Sequence, residues 1–172
     1  MSRHTARIHA LNLVFQFPFH AEWDHDMLEK ATNQYLLDLP DLDEHIKNTS
    51  PGKDDRAFIV EEAIGTFDNL EQIDIQIGER LVDWELNRIA RIDLALLRLA
   101  SYEILYVPYI STATAINEAV ELAKVYGTEE SPGFINGVLG KVASTKDKQD
   151  KQDKQDNEDK QNVRDSQVQQ LC

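Results

Sequence analysis

The sequence predicts an all-α protein of about seven helices in two helical subdomains, followed by a disordered tail. Two observations carry that reading. Apolar residues recur at i, i+3, i+4 and i+7 through most of the first 145 residues, and the runs are bounded by proline or by capping residues, with no convincing strand between them. The expected division is an N-terminal subdomain of about 1–70, a C-terminal subdomain of about 71–145, and a charged tail at 146–172.

Helix one is expected from about Arg3 to Phe17, with Ile8, Leu11 and Phe15 on its apolar stripe and Pro18 ending it. Helix two covers about 26–39 on Leu28, Ala31, Tyr35 and Leu39, and Pro40 stops it. A loop follows over 41–52, closing in Ser50-Pro51-Gly52. Helix three, about 54–69, buries Phe58, Ile59, Ala63, Ile64 and Phe67. In EQIDIQIGERLVDWEL, Ile73, Ile75 and Ile77 alternate as a strand would, yet Ile73, Ile77, Leu81 and Trp84 also fit a helix, and length and helical neighbours favour the helix.

The fifth segment, ELNRIARIDLALLRLASYEILYV, is the most apolar and is expected to be central. Arg88, Arg91, Arg98 and Tyr102 fall on one polar stripe of that helix, open to two readings: pairing with acidic neighbours, or contact with a phosphate or partner. Pro108 ends it, and Thr112 or Thr114 starts the sixth, with Ile116, Ala119, Val120 and Ala123 inward and Asn117, Glu121 and Lys124 outward.

The seventh segment, SPGFINGVLGKVA, contains Asn136-Gly137, a hairpin signal, but Ile135, Val138, Leu139 and Val142 repeat as one helical face and no alternating strand flanks the pair. Ser131 is expected as the N-cap, with Pro132 in the first helical position. Gly133, Gly137 and Gly140 then lie on one stripe away from the apolar face. Each interior glycine costs about 1 kcal/mol relative to alanine, so something should approach that face closely. It is either a neighbouring helix or a ligand or partner meeting exposed backbone beside Phe134 and Asn136.

Composition narrows the function classes. A chain of 172 residues can bury a core amounting to about two-thirds of its unfolded surface. Its single cysteine, Cys172, excludes a disulfide framework and a clustered thiolate metal site, and a reducing cytoplasm fits. No run of 18 apolar residues exists, so no membrane span is expected. Arg3 and Arg7 ahead of an apolar run resemble a secretory leader, but His9, Asn12 and Gln16 interrupt that run.

Net charge is −13, yet residues 1–21 hold no Asp or Glu while carrying Arg3, His4, Arg7, His9 and His20. The tail repeats the triplet DKQ and holds 6 of the 18 basic and 7 of the 31 acidic residues, so the acidity belongs to the folded part. No glycine-rich phosphate loop, HExxH, paired cysteines or GxSxG is present. His4 and His9 are five apart, as are His20 and His25, so neither pair shares a helical face for a metal. No cofactor, metal or catalysis is expected, and a helical binding module remains.

The block LLRLASYEILYVPYISTATAINEAVELAKVYGTEESPGFINGVLG closely resembles the C-terminal half of the NusB family of bacterial transcription antitermination factors, in its LR…YE run, proline, INEAVELAK and F-I-NGVL. ARIHALNLVFQF is similar to that family's opening pattern, with Asn12 where glutamine is usual and Phe15 where tyrosine is usual. The resemblance is strong over 86–143, fair over 3–17 and topological between, and the tail has no counterpart.

It implies two helical bundles and no enzyme activity. It also implies binding to the boxA element of nascent ribosomal RNA with NusE, a small-subunit ribosomal protein, in the elongating RNA polymerase complex. Carried over by position, Arg3 and Arg7 match the family's RNA-binding start, with His4 between them, and Phe134 and Asn136 match the F-x-N element near RNA. Asp93 and Glu130 stand where the family meets its partner. Many relatives open with a denser arginine cluster and often carry a basic residue at the place of Gly133. With about 2–4 phosphate contacts, the salt slope would be only about −1.4 to −2.8, so RNA binding without the partner is expected to be weak. In the family the last helix packs into the C-terminal bundle, which assigns Gly137 and Gly140 to close packing and leaves Phe134 for RNA.

Two other readings stand beside this one. A homodimeric interaction module would bury helix one against a second copy, masking Arg3 and Arg7. The family resemblance also extends to the helical RNA-binding domain fused to some ribosomal RNA cytosine methyltransferases, although no methyltransferase domain is expected here. Deleting residues 146–172 should leave the thermal midpoint within about 2 °C, under about 1 kcal/mol for a chain of this size. A drop of several degrees in a thermal melt contradicts the reading of the tail.

Overall fold

The computed structural model describes residues 1–19, 22, 24–38, 51–81 and 85–146. Among these residues there are seven α-helices and no strand. They are α1 (Arg3–Gln16), α2 (His25–Leu37), α3 (Lys53–Asp68), α4 (Leu70–Gly78), α5 (Arg91–Tyr106), α6 (Thr112–Tyr126) and α7 (131–146). Short 3-10 turns occupy Phe17–Phe19 and Leu86–Arg88. Most of the expected loop at 41–52, Leu39, Trp84, His20 and the tail after Lys146 lie outside the described residues.

Local chemistry sets the helix starts. The Ser2 hydroxyl accepts from Thr5 N–H at 3.0 Å, Asp24 from Met27 N–H at 2.8 Å, and Ser111 from Thr114 N–H at 3.1 Å. Such caps satisfy N–H groups that a first turn otherwise leaves open, and each is worth about 1 kcal/mol. At α3 the order is reversed, with the Gly52 N–H donating to Asp55 Oδ2 at 3.0 Å.

α1 is the central element. Expected to show one apolar stripe, it instead buries Ala6, Arg7, Ile8, His9, Ala10, Leu11, Leu13 and Val14, while Phe15 is half-buried. It packs on α3 to one side and α5 to the other. One core joins Ala6 and Leu13 to Leu36, Phe58, Ile59 and Ala63. The larger one runs from Ile8 and Leu11 through Ile73, Leu96 and Leu122 to Ile135 and Leu139. Gly65 permits the close seating of α3 on α5, since a Cβ there would overlap the Tyr102 ring.

Several expectations are corrected. α2 buries Leu28, Thr32 and Leu36, a stripe rotated from the expected one, with Tyr35 and Ala31 at its margin. α4 ends at Gly78, so Leu81 lies beyond it. The fifth segment breaks before its helix: Ile89 and Ala90 are extended, at ψ 138 and 136, and α5 starts only at Arg91. The break lets Ile89, 8% exposed, turn into the core just ahead of the helix, and it places Asp93 in the first turn, where the helix dipole favours an acid. Arg88 therefore leaves the stripe of Arg91 and Arg98, and Tyr102 is buried rather than outward. On α6 the buried set is Ala115, Ala119, Leu122 and Ala123, so Ile116 and Val120, expected inward, are only half-buried, while Asn117, Glu121 and Lys124 are exposed as expected.

Glu62 on α3 is fully buried, and neither carboxyl oxygen has a hydrogen-bond partner. Burial, reinforced by the nearby negative charge of Glu103 and opposed by Arg7, pushes its pKa up from 4.5 to about 9. It therefore keeps its proton at neutral pH. Because the folded value lies above the unfolded one, its contribution to stability is full below about 4.5 and is lost as pH rises toward 9. Glu62→Gln, neutral at every pH, should leave the melting temperature near that of the wild type at pH 5 and raise it increasingly toward pH 8.5. An equal offset at both pH values in differential scanning calorimetry contradicts the assignment.

Candidate nucleic-acid interface

The acid-free N-terminus is not an isolated positive patch once folded. The terminal amine pairs with Asp55 at 3.1 Å. Exposed Arg3 donates to the Asp54 carbonyl at 3.4 Å and holds its guanidinium 4.5 Å from the Phe58 ring centroid. His4 Nδ1 lies 2.9 Å from Glu118 Oε2. Arg7 is buried, its Nε donating to Glu103 Oε1 at 2.7 Å with Glu118 at 3.6 Å. The carboxylates absent from residues 1–21 are thus supplied by α3, α5 and α6. Burial holds the Glu103 pKa above its ordinary value, with the Arg7 guanidinium opposing only part of the rise.

A second group converges elsewhere. Asp93 at the start of α5, Glu130 before α7 and Phe134 in its first turn line one cavity of about 570 Å³, three of the residues expected to meet RNA or partner. Asn136 is exposed on α7 outside that lining, and Arg3, His4 and Arg7 face other elements. Arg80, Arg88 and Lys141 also line the cavity. Sequence reading did not gather them: Arg88 was placed on a helix stripe that the extended Ile89-Ala90 pair abolishes, and Lys141 meets the Arg80 carbonyl, at 3.3 Å, across 61 positions of chain. Arg98 follows the pairing reading, with a two-pronged contact to Asp74 at 2.8 Å for each prong.

The turn into α7 is pinned by Ser131. It was expected as an N-cap, but the helix already includes it, with Phe134 N–H donating to the Glu130 carbonyl at 3.1 Å. Its hydroxyl accepts from Thr128 N–H at 2.9 Å and donates to Asp93 Oδ2 at 3.0 Å, tying α7 to the head of α5. Oδ1 of Asp93 has no partner although the residue is only 7% exposed.

The glycine stripe is also corrected. Ile135, Val138, Leu139 and Val142 are buried as expected, but a Cβ added at Gly133, Gly137 or Gly140 would meet nothing within 4 Å. Among the described residues no helix packs there. Gly133 and Gly137 instead form bare wall of the cavity.

By class, this is an all-α protein of the architecture found among transcription antitermination factors. The NusB family profile matches residues 4–144, and the chain belongs to that family. It is 40% identical over 148 residues to the transcription antitermination protein NusB of Carboxydothermus hydrogenoformans, covering 86% of this chain and 96% of the relative. NusB of T. maritima superposes with a TM-score of 0.67 at 33% identity, covering 84% of this chain and 92% of that one. A structure described as antitermination factors NusB and NusE in complex with dsRNA shares the fold at 21% identity and a TM-score of 0.63, covering 84% and 99%.

Because no described residue packs on the glycine stripe, Gly140→Ala should stabilise the protein by about 1 kcal/mol in urea unfolding. Destabilisation would show that a neighbour does close on that face.

Proposed function

We propose that the chain is a bacterial transcription antitermination factor acting in the cytoplasm by binding rather than by catalysis. Together with NusE, the small-subunit ribosomal protein, it would hold boxA-type single-stranded RNA of nascent ribosomal transcripts within the RNA polymerase elongation complex. The observation that carries this reading is the gathering of Phe134, Asp93 and Glu130 around one cavity in a chain that matches the NusB family over residues 4–144. The fold neighbour solved as NusB and NusE with dsRNA supports NusE and RNA as partners. No helix among the described residues is long and apolar enough to cross a membrane.

Arg3, His4, Phe134 and Asn136 are assigned to RNA, with Arg7 entering through its pair with Glu103, which holds the helix that carries Arg3 and His4. Asp93 and Glu130 are assigned to the partner side. The division into subdomains at about residue 70 belongs to the same proposal. Arg7 is covered by Glu103 and Glu118 of its own chain, so masking it requires no second copy.

Fluorescence anisotropy of labelled boxA RNA, with and without NusE at two salt concentrations, tests the reading. Binding should be weak alone, tight with NusE, and salt-dependent. Arg3→Ala should lower the salt slope by about 0.7, the share of one phosphate contact on a single strand. Absence of binding with NusE present contradicts the proposal.

A further inference from the structure

Arg7 meets two carboxylates that differ in access. Glu103 takes its Nε at 2.7 Å and is 1% exposed, so nothing from outside can replace it. Glu118, on α6, is 27% exposed, and one of its oxygens serves two basic side chains of α1 at once: Oε2 lies 2.9 Å from His4 Nδ1 and 3.6 Å from Arg7 Nη1. His4 itself is 43% exposed. The acid-free segment therefore holds an anion at its surface, and a carboxylate in that place offers the charge and the acceptor oxygens that a phosphate would. The fold does not need Glu118 there. If its side chain turns away, Arg7 keeps the contact that bridges α1 to α5, and a partly exposed pair contributes little to stability. The surface beside it also suits an anion: the first turn of α6 carries no acid, and Thr114, one turn before Glu118 on the same face, is exposed.

We propose that Glu118 stands in for an RNA phosphate, its carboxylate occupying the place on His4 and Arg7 that a phosphate of the bound strand takes. The proposal rests on the RNA-binding reading above and adds to it a residue that opposes binding. A strand must displace Glu118 or accept its repulsion, so this one side chain sets how weakly the chain holds RNA. Arg7 is 6% exposed and its Nη1 faces Glu118, so the exchange gives the strand a charge that the free chain keeps to itself. Glu103 stays in place throughout and holds the register of α1.

Titration of labelled boxA RNA with the full chain and NusE at two salt concentrations tests the assignment. Glu118→Gln should tighten binding about three- to fivefold and steepen the salt slope by about 0.7, one further phosphate contact on a single strand. Glu29→Gln, the same change of charge at an exposed position on α2, should alter the affinity by less than about 1.5-fold. Glu118→Asp keeps the charge but draws the carboxylate back from His4 by one methylene, and it should tighten binding about twofold. That variant carries the test if Glu118→Gln lowers the thermal midpoint. Adding His4→Ala to Glu118→Gln should return the affinity to about that of the wild type, because the gained contact runs through His4. A gain no larger than that of Glu29→Gln, or one that survives His4→Ala, overturns the proposal and leaves only the loss of a negative charge. Weaker binding by Glu118→Gln at an unchanged thermal midpoint also overturns it, and makes Glu118 a group that positions His4 for RNA. If boxA RNA binds neither the wild type nor any variant in the presence of NusE, the functional reading falls, and this inference with it.

Discussion

Arg7 and Glu103 make a charged contact in the middle of a helix that is otherwise packed in apolar side chains, and the placement of α1 depends on it. Both side chains are almost fully buried, at 6% and 1% exposure, and their 2.7 Å contact bridges α1 to α5. A buried pair of this kind adds little net stability over an apolar alternative, but losing one partner strands the other without water. Its main effect is to fix register. Rotating or sliding α1 would unpair Glu103, move Arg7 off the Phe58 ring, 5.5 Å from its centroid, and displace Arg3 and His4 from α3 and α6.

The same logic of fixed geometry operates at the head of α5. The extended Ile89-Ala90 pair starts the helix late, which puts Asp93 in the first turn and leaves Arg88 in a 3-10 turn at the cavity. Ser131 then locks α7 to Asp93, and a Cβ at Gly127 would collide with the Ser131 side chain, so the connecting turn can close this tightly only around glycine. The cavity is the space between these constrained ends. Leu81, Ile89, Phe134 and Val138 supply its apolar walls, and Gly133 and Gly137 leave bare backbone between them.

The helices were readable from the chain because burial follows periodicity: Ile135, Val138, Leu139 and Val142 lie inward as their spacing requires. Asp93, Glu130 and Phe134 were legible through resemblance to a family, and their convergence on one cavity was visible only in three dimensions. The glycine stripe was located correctly, but its cause was not, because spacing reports which residues share a face and says nothing of what stands opposite. Arg7 misled for a related reason. A basic residue in an acid-free segment reads as a free cation, whereas its counter-charge, Glu103, arrives from 96 positions away. Glu62 escaped notice because a carboxylate that keeps its proton looks, in sequence, like any other surface acid.

The central claim is that the Arg7–Glu103 contact fixes α1, and a double-mutant cycle with Arg7→Met, Glu103→Gln and the combination, followed by urea unfolding, tests it most directly. Each single change should cost about 3–5 kcal/mol. The double should cost less than the sum, with a coupling of about 2 kcal/mol or more. Additivity within about 0.5 kcal/mol would mean that the two side chains act independently and that α1 is held by apolar packing alone.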